Sequence, residues 1–188
     1  MSKNIRKLVY CAVCIALSVV TGSLTLFELP NGGAITPFSM LFASLPGFFF
    51  GPYWGIFSGI AYGILSFVLK PYFLSVIQVI CDYVLAFGAL GLTGFFYKKN
   101  HGLFMGYTAA CIGRFVFAVI SGVAFFADYA PAGMNPLVYS MGYNGSYIFS
   151  EAIITLLVVW RVKPVYHAIQ HIRMLANEDA VPAATAKI

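Results

Sequence analysis

The chain has 188 residues, of which 61% are hydrophobic and 9% charged, and its net charge is +5. A soluble domain needs about 25% charged residues to cover its surface, so a water-soluble enzyme is excluded. A mean hydropathy of +0.87, with 18 Phe, 12 Tyr and 18 Gly, matches a helical bundle whose solvent is lipid, where glycine is tolerated and aromatic rings collect at the interfaces.

A membrane helix takes about 20 mostly apolar residues. The apolar stretches place six helices, near 8–25, 37–50, 53–69, 73–96, 103–126 and 138–160, the second being short. The expected fold is an all-α membrane protein, a six-transmembrane-helix bundle filling residues 1–163. Residues 164–188 read as a polar cytoplasmic tail, partly disordered from Asn177 onward, where a Pro and an Ala-Thr-Ala run occur. There is no Gly-x-x-x-x-Gly-Lys run to cradle phosphates, so nucleotide-driven work falls to another chain.

On the first helix, Ala12 and Ala16 lie four apart and offer a small-residue stripe to a partner helix. Residues 3–20 pass from basic to apolar without a small-x-small cleavage pattern and read as a span, not a leader. Cys11, Cys14, Cys81 and Cys111 fall within spans and read as small apolar residues; one Cys-x-x-Cys without a second ligand pair is a weak metal signal, and neither metal nor cofactor is expected. On the third helix, Gly51, Gly55, Gly59 and Gly63 form a stripe that reads as close packing within the chain. His167 and His171, four apart after the last span, read as a solvated helix face.

Basic residues collect on the cytoplasmic side of membrane proteins. Lys3, Arg6 and Lys7 precede the first span, Lys98 and Lys99 separate the fourth from the fifth, and Arg161, Lys163, Arg173 and Lys187 follow the last, while the outer loops hold only Lys70. Both termini are therefore expected inside. The charge is explained by this asymmetry facing an anionic leaflet, and no nucleic-acid partner is expected.

Charges in an apolar run are costly and face a cavity or a partner. Asp82, Arg114 and Glu151 are three such charges. Counted at 1.5 Å per residue, Asp82 and Asn144 lie roughly 10–14 Å below the outer surface and Arg114 and Glu151 roughly 18–21 Å, giving two layers. Gln78 and Asp82 share a face of the fourth helix; Asn144, Tyr147 and Glu151 line one face of the sixth. With Tyr72, Tyr83 and Tyr139 as walls, a carboxylate, amides and rings suit a flat, polar, cationic organic ligand. The alternative is that these groups only bond neighbouring helices. Arg114 could pair with Glu151 or Asp82; either way two acids and one base leave one negative charge, which a monocation would balance.

The runs NGGAITPFSM from Asn31 to Met40, YFLSVIQVICDY from Tyr72 to Tyr83 and YSMGYNG from Tyr139 to Gly145 resemble the substrate-binding S components of energy-coupling factor (ECF) vitamin transporters, within them the thiamine-specific group, over most of residues 8–160. The spacings of Tyr72, Asp82 and Tyr83, and of Tyr139 and Asn144, look like that group's thiamine-contacting positions, where the acid is usually Glu. The resemblance implies a six-helix bundle with both termini inside and a loop after the first helix that closes over a vitamin near the outer face; an intramembrane enzyme would need a nucleophile and base or a metal set, and the expected spans hold no histidine, so no enzyme activity is expected. The resemblance also implies partners: a transmembrane coupling subunit meeting an Ala-x-x-x-Ala surface, here Ala12 and Ala16, and two cytoplasmic ATPases. Where the group commonly carries Trp and His, the aligned positions hold Tyr62, Ala118 and Phe126, and Arg114 stands in place of Lys. Thiamine is the expected ligand, with a pyridoxine-type vitamin or the hydroxymethylpyrimidine precursor as alternatives. A stand-alone secondary transporter would show internal repeats, which are not found here.

Overall fold

A computed structural model describes residues 2–177. Its helices are α1 (Lys3–Ser23), α2 (Ser39–Phe50), α3 (Pro52–Leu69), α4 (Val76–Phe96), α5 (Gly102–Phe125), α6 (Pro136–Arg161) and α7 (Lys163–Asn177), and a two-residue hairpin of β1 (Phe27–Glu28) and β2 (Ala34–Ile35) interrupts the α1–α2 connection. The result is a membrane helical bundle. By length and composition α1, α3, α4 and α5 can each cross a bilayer.

The centre of the bundle is α2. At 12 residues it is about 18 Å long, too short to cross a hydrocarbon core of about 30 Å. It is apolar on every side, and all its residues from Ser39 to Phe49 except Phe42 are buried. A helix of that kind is stable only when surrounded, and α1, α3, α4, α5 and α7 all pack against it. Met40, Phe48 and Phe49 join Leu90, Tyr107 and Ile148 in one core cluster.

Three of the four striped glycines do pack within the chain. A methyl on Gly55 would meet the Gly47 Cα at 2.6 Å, and methyls on Gly59 and Gly63 would collide with the backbone carbonyls of Phe87 and Tyr83. Gly51 differs from the expectation: it lies outside α3, and its φ of 94° makes the corner between α2 and α3, a backbone geometry that suits glycine. The bare stripe of α3 seats α4, which is not a regular helix. It opens with one α turn at Val76–Val79, widens into a π segment at Ile80–Leu85 and ends as a 3-10 stretch at Ala89–Phe96. The expected start near 73 is replaced by an extended segment capped at Ser75, whose hydroxyl accepts from the Gln78 amide.

Lys3, Arg6, Lys7, Lys98, Lys99, Arg161 and Lys163 mark one end of the bundle. Lys7 lies over the rings of Phe50 and Trp54 at 5.9 and 5.8 Å. The tail region begins as α7, whose Ile169 and Ala176 are buried. Arg173 lies over Phe48 at 4.4 Å and donates to the Tyr97 carbonyl, and Asn177 donates to the Phe49 carbonyl at 3.1 Å. His167 and His171 are exposed on its far side. The disorder expected beyond Asn177 concerns residues 178–188, outside those described.

Candidate ligand-binding site

At the opposite end, the last turns of α1, α3 and α5 and the first half of α4 and α6 surround a cavity of about 520 Å³. All nine residues singled out by sequence line it: Tyr72, Gln78, Asp82, Tyr83, Arg114, Tyr139, Asn144, Tyr147 and Glu151. Such a volume suits a small organic molecule.

The acidic wall is built by α4. Gln78 is 1% exposed; its Nε2 donates to Asp82 Oδ2 at 2.7 Å and its Oε1 accepts from the Leu74 amide at 3.1 Å. The π segment carries Asp82 and Tyr83 one position out of α register. π segments recur at functional sites because they re-aim side chains. Aromatic rings follow: Tyr83 is stacked with Phe87 at 6.2 Å, and Tyr62 meets Phe87 edge-on at 5.0 Å.

Arg114 departs from expectation. Its guanidinium lies over the Phe87 ring at 4.5 Å, and among the described residues it forms an ion pair with neither Asp82 nor Glu151. Glu151 is occupied elsewhere. It is 4% exposed, and it accepts from Thr36 Oγ1 at 2.8 Å, Ser39 Oγ at 3.0 Å and the Met40 amide at 2.9 Å. The formal charges around the cavity are more numerous than the two acids and one base expected. Among the described residues the lining contains Glu28, Asp82 and Glu151 against Lys70 and Arg114, which leaves one negative charge in excess.

The third wall is α6, where Tyr139, Tyr143, Tyr147 and Glu151 recur every four residues and so share one face. Asn144 is anchored by the protein: Nδ2 donates to the Ser140 carbonyl at 3.0 Å, and Oδ1 accepts from the Tyr147 hydroxyl at 2.8 Å, which leaves the second lone pair of Oδ1 for a further donor. Tyr143 was not singled out by sequence, although the four-residue spacing between Tyr139 and Tyr147 marks it. Its hydroxyl donates to the Pro30 carbonyl at 2.6 Å and accepts from the Gly33 amide at 2.7 Å, so it clasps both sides of the hairpin tip. Asn31 adds a bond to the Tyr139 hydroxyl at 3.4 Å. Asn31 and Gly32 take φ of 68° and 88°, conformations open to Asn and Gly at low cost. Across the mouth, Tyr72 and Tyr129 share a hydrogen bond at 2.8 Å, which raises the Tyr72 phenol above its usual value.

The positions aligned with the group's Trp and His, Tyr62, Ala118 and Phe126, also line the cavity. Tyr62 and Phe126 preserve aromatic surface there. Ala12 and Ala16 are exposed on α1 and are not among the residues that line the cavity.

A bundle of lipid-crossing helices with a polar, aromatic-walled cavity near one end is the architecture of a membrane transport protein that captures a small solute. The model of the thiamine transporter protein family (Thia_YuaJ) matches residues 8–170, and the chain belongs to that family. It is a multi-pass cell-membrane transporter protein and not an enzyme. Thiamine transporter ThiT of Bacillus subtilis is 27% identical, over 84% of this chain and 90% of that one. Thiamine transporter ThiT of Lacticaseibacillus paracasei is 30% identical over 54% of this chain and 59% of that one. A solved structure of ThiT from Listeria monocytogenes shares the fold, with a TM-score of 0.72 at 21% identity, covering 88% of this chain and 99% of that one.

Proposed function

We propose that this chain is the thiamine-binding subunit of an ATP-driven ECF-type uptake transporter. The observation that carries the reading is the placement of Asp82 in an aromatic-walled cavity whose lining has one excess negative charge. Thiamine is a permanent monocation with two flat rings, an aminopyrimidine and a thiazolium. The thiazolium meets Asp82 and the faces of Tyr83 and Phe87, a combination of ion pairing and cation–π attraction. The aminopyrimidine lies toward α6, where Asn144, Tyr139 and Tyr147 supply hydrogen-bonding groups. Gln78 fixes the rotamer of Asp82, and Arg114 limits the negative charge to one.

Six passes of the chain through the bundle, α1 to α6, with the short α2 completed by the segment 34–38 that leads to Glu151, put both termini in the cytoplasm. The basic end then faces inward and the cavity outward. The exposed Ala12 and Ala16 receive the coupling subunit, and two ATPases supply the energy for which this chain has no phosphate loop.

Calorimetric titration of the purified protein with thiamine, pyridoxine and the hydroxymethylpyrimidine precursor tests the ligand. Thiamine is expected to bind most tightly; preferential binding of either competitor reassigns the site. Co-purification of a coupling subunit and ATPases with the tagged chain tests the assembly, and its absence from detergent extracts of native membranes argues for a self-sufficient carrier.

A further inference from the structure

The buried Glu151 carboxylate has a task that ligand binding does not account for. It belongs to α6, yet all three of its hydrogen-bond donors, Thr36, Ser39 and the Met40 amide, belong to the strand-to-helix junction that ends the α1–α2 connection. That junction needs an acceptor. The residue preceding α2, Phe38, has a φ of 62° and offers no side-chain cap, so the first amides of α2 are without the acceptor that Ser, Thr, Asp or Asn normally provides. Glu151 supplies it from another helix, with a negative charge placed at the positive end of the α2 dipole. The Thr36 and Ser39 hydroxyl oxygens lie 2.8 Å apart, so the two sit as one cluster around the carboxylate, each with its single proton turned toward it. Twelve residues earlier on the same face of α6, Tyr139 holds the hairpin tip through Asn31, and Tyr143 holds it through Pro30 and Gly33. The connection from Leu24 to Phe38 is thus fastened at its tip by tyrosines and at its base by Glu151.

We propose that Glu151 is a positioning residue: it clamps the base of the α1–α2 hairpin over the cavity and sets how long a bound ligand stays, without contacting that ligand. The proposal rests on the reading of the cavity as a ligand site, and it adds a kinetic role within that site. An acid at this depth is retained because three donors and a helix end satisfy it, and removing it leaves the Met40 amide and two hydroxyls without an acceptor.

Two variants test it on the full chain in detergent or nanodiscs. Glu151→Gln keeps the size but removes the charge, and the double variant Thr36→Val with Ser39→Ala removes two donors while leaving Glu151 in place. Hydrogen exchange over residues 24–40 is measured without ligand, and dissociation of radiolabelled thiamine is followed after a chase of unlabelled thiamine. Both variants are expected to exchange faster at Gly33 and Met40 and to release thiamine about ten- to a hundredfold faster, with association changed less than threefold. Unchanged exchange and unchanged dissociation in both variants overturn the proposal. Loss of thiamine binding in Glu151→Gln with exchange as in the wild type also overturns it, because Glu151 would then be a ligand contact. Wild-type protein that fails to bind thiamine defeats the ligand assignment alone, since the exchange measurement needs no ligand.

Discussion

Gln78 and Asp82 form a hydrogen-bonded pair one helical turn apart, with the amide nitrogen 2.7 Å from the carboxylate oxygen. The other end of the same amide is held by the Leu74 backbone, so the extended segment before α4 determines where the cavity's acid points. Gln78→Leu is therefore expected to weaken thiamine binding about tenfold, equivalent to about 1.4 kcal/mol, while Asp82 remains in place. Calorimetry on the purified variant checks this. Affinity equal to wild type would show that Asp82 needs no partner to hold its orientation.

On the opposite wall, Asn144 joins Ser140, Ala118 and Tyr147. Asn144→Leu is expected to abolish recognition, a loss of a hundredfold or more, with an unchanged elution volume and a thermal midpoint within a few degrees of wild type. Simultaneous loss of expression and binding would assign Asn144 to helix packing instead.

The glycine stripe gives a stability prediction independent of any ligand. A methyl on Gly63 collides with the Tyr83 backbone, which cannot rotate away, so Gly63→Ala is expected to cost about 1–3 kcal/mol. Gly142→Ala serves as the matched control. Nothing lies within 4 Å of the position that its methyl would occupy, and replacing a helical glycine is neutral or stabilising. Thermal unfolding followed by circular dichroism separates the two, and equal midpoints would contradict the packing assigned to α3 and α4.

Ala12 and Ala16 face outward from α1. Replacing both with Trp is expected to leave thiamine affinity of the isolated subunit within about twofold of wild type and to eliminate uptake by cells carrying the complete complex, because the partner helix is held too far away for the close contacts that drive association in lipid. Uptake at the wild-type rate would mean that this face meets only lipid.

Much of this arrangement was legible in the sequence because membrane helices announce themselves by composition and because a charge in an apolar run needs a partner. The i,i+4 spacing of Gln78 and Asp82 put them on one face of the helix, where their side chains meet. What the sequence hid was irregular backbone. Nothing in ICDYVL distinguishes a π segment from an α-helix by local propensity, and its packing against the bare face of α3 is a tertiary feature. The partners of Glu151 were hidden for a related reason. Thr36, Ser39 and the Met40 amide lie more than a hundred positions away, and a backbone amide leaves no mark in composition. Arg114 was expected in an ion pair, yet a guanidinium over Phe87 is an equally good solution for a charge that must remain close to a cavity.

The most direct test is native mass spectrometry with parallel calorimetry on gently purified wild-type protein and on Asp82→Asn. Wild type is expected to carry one thiamine per chain and to rebind it after removal, and Asp82→Asn is expected to bind about ten- to a hundredfold more weakly, the loss of one charge-assisted contact. Equal thiamine affinity in the two proteins, or a wild type that carries a different compound and ignores thiamine, would contradict the account.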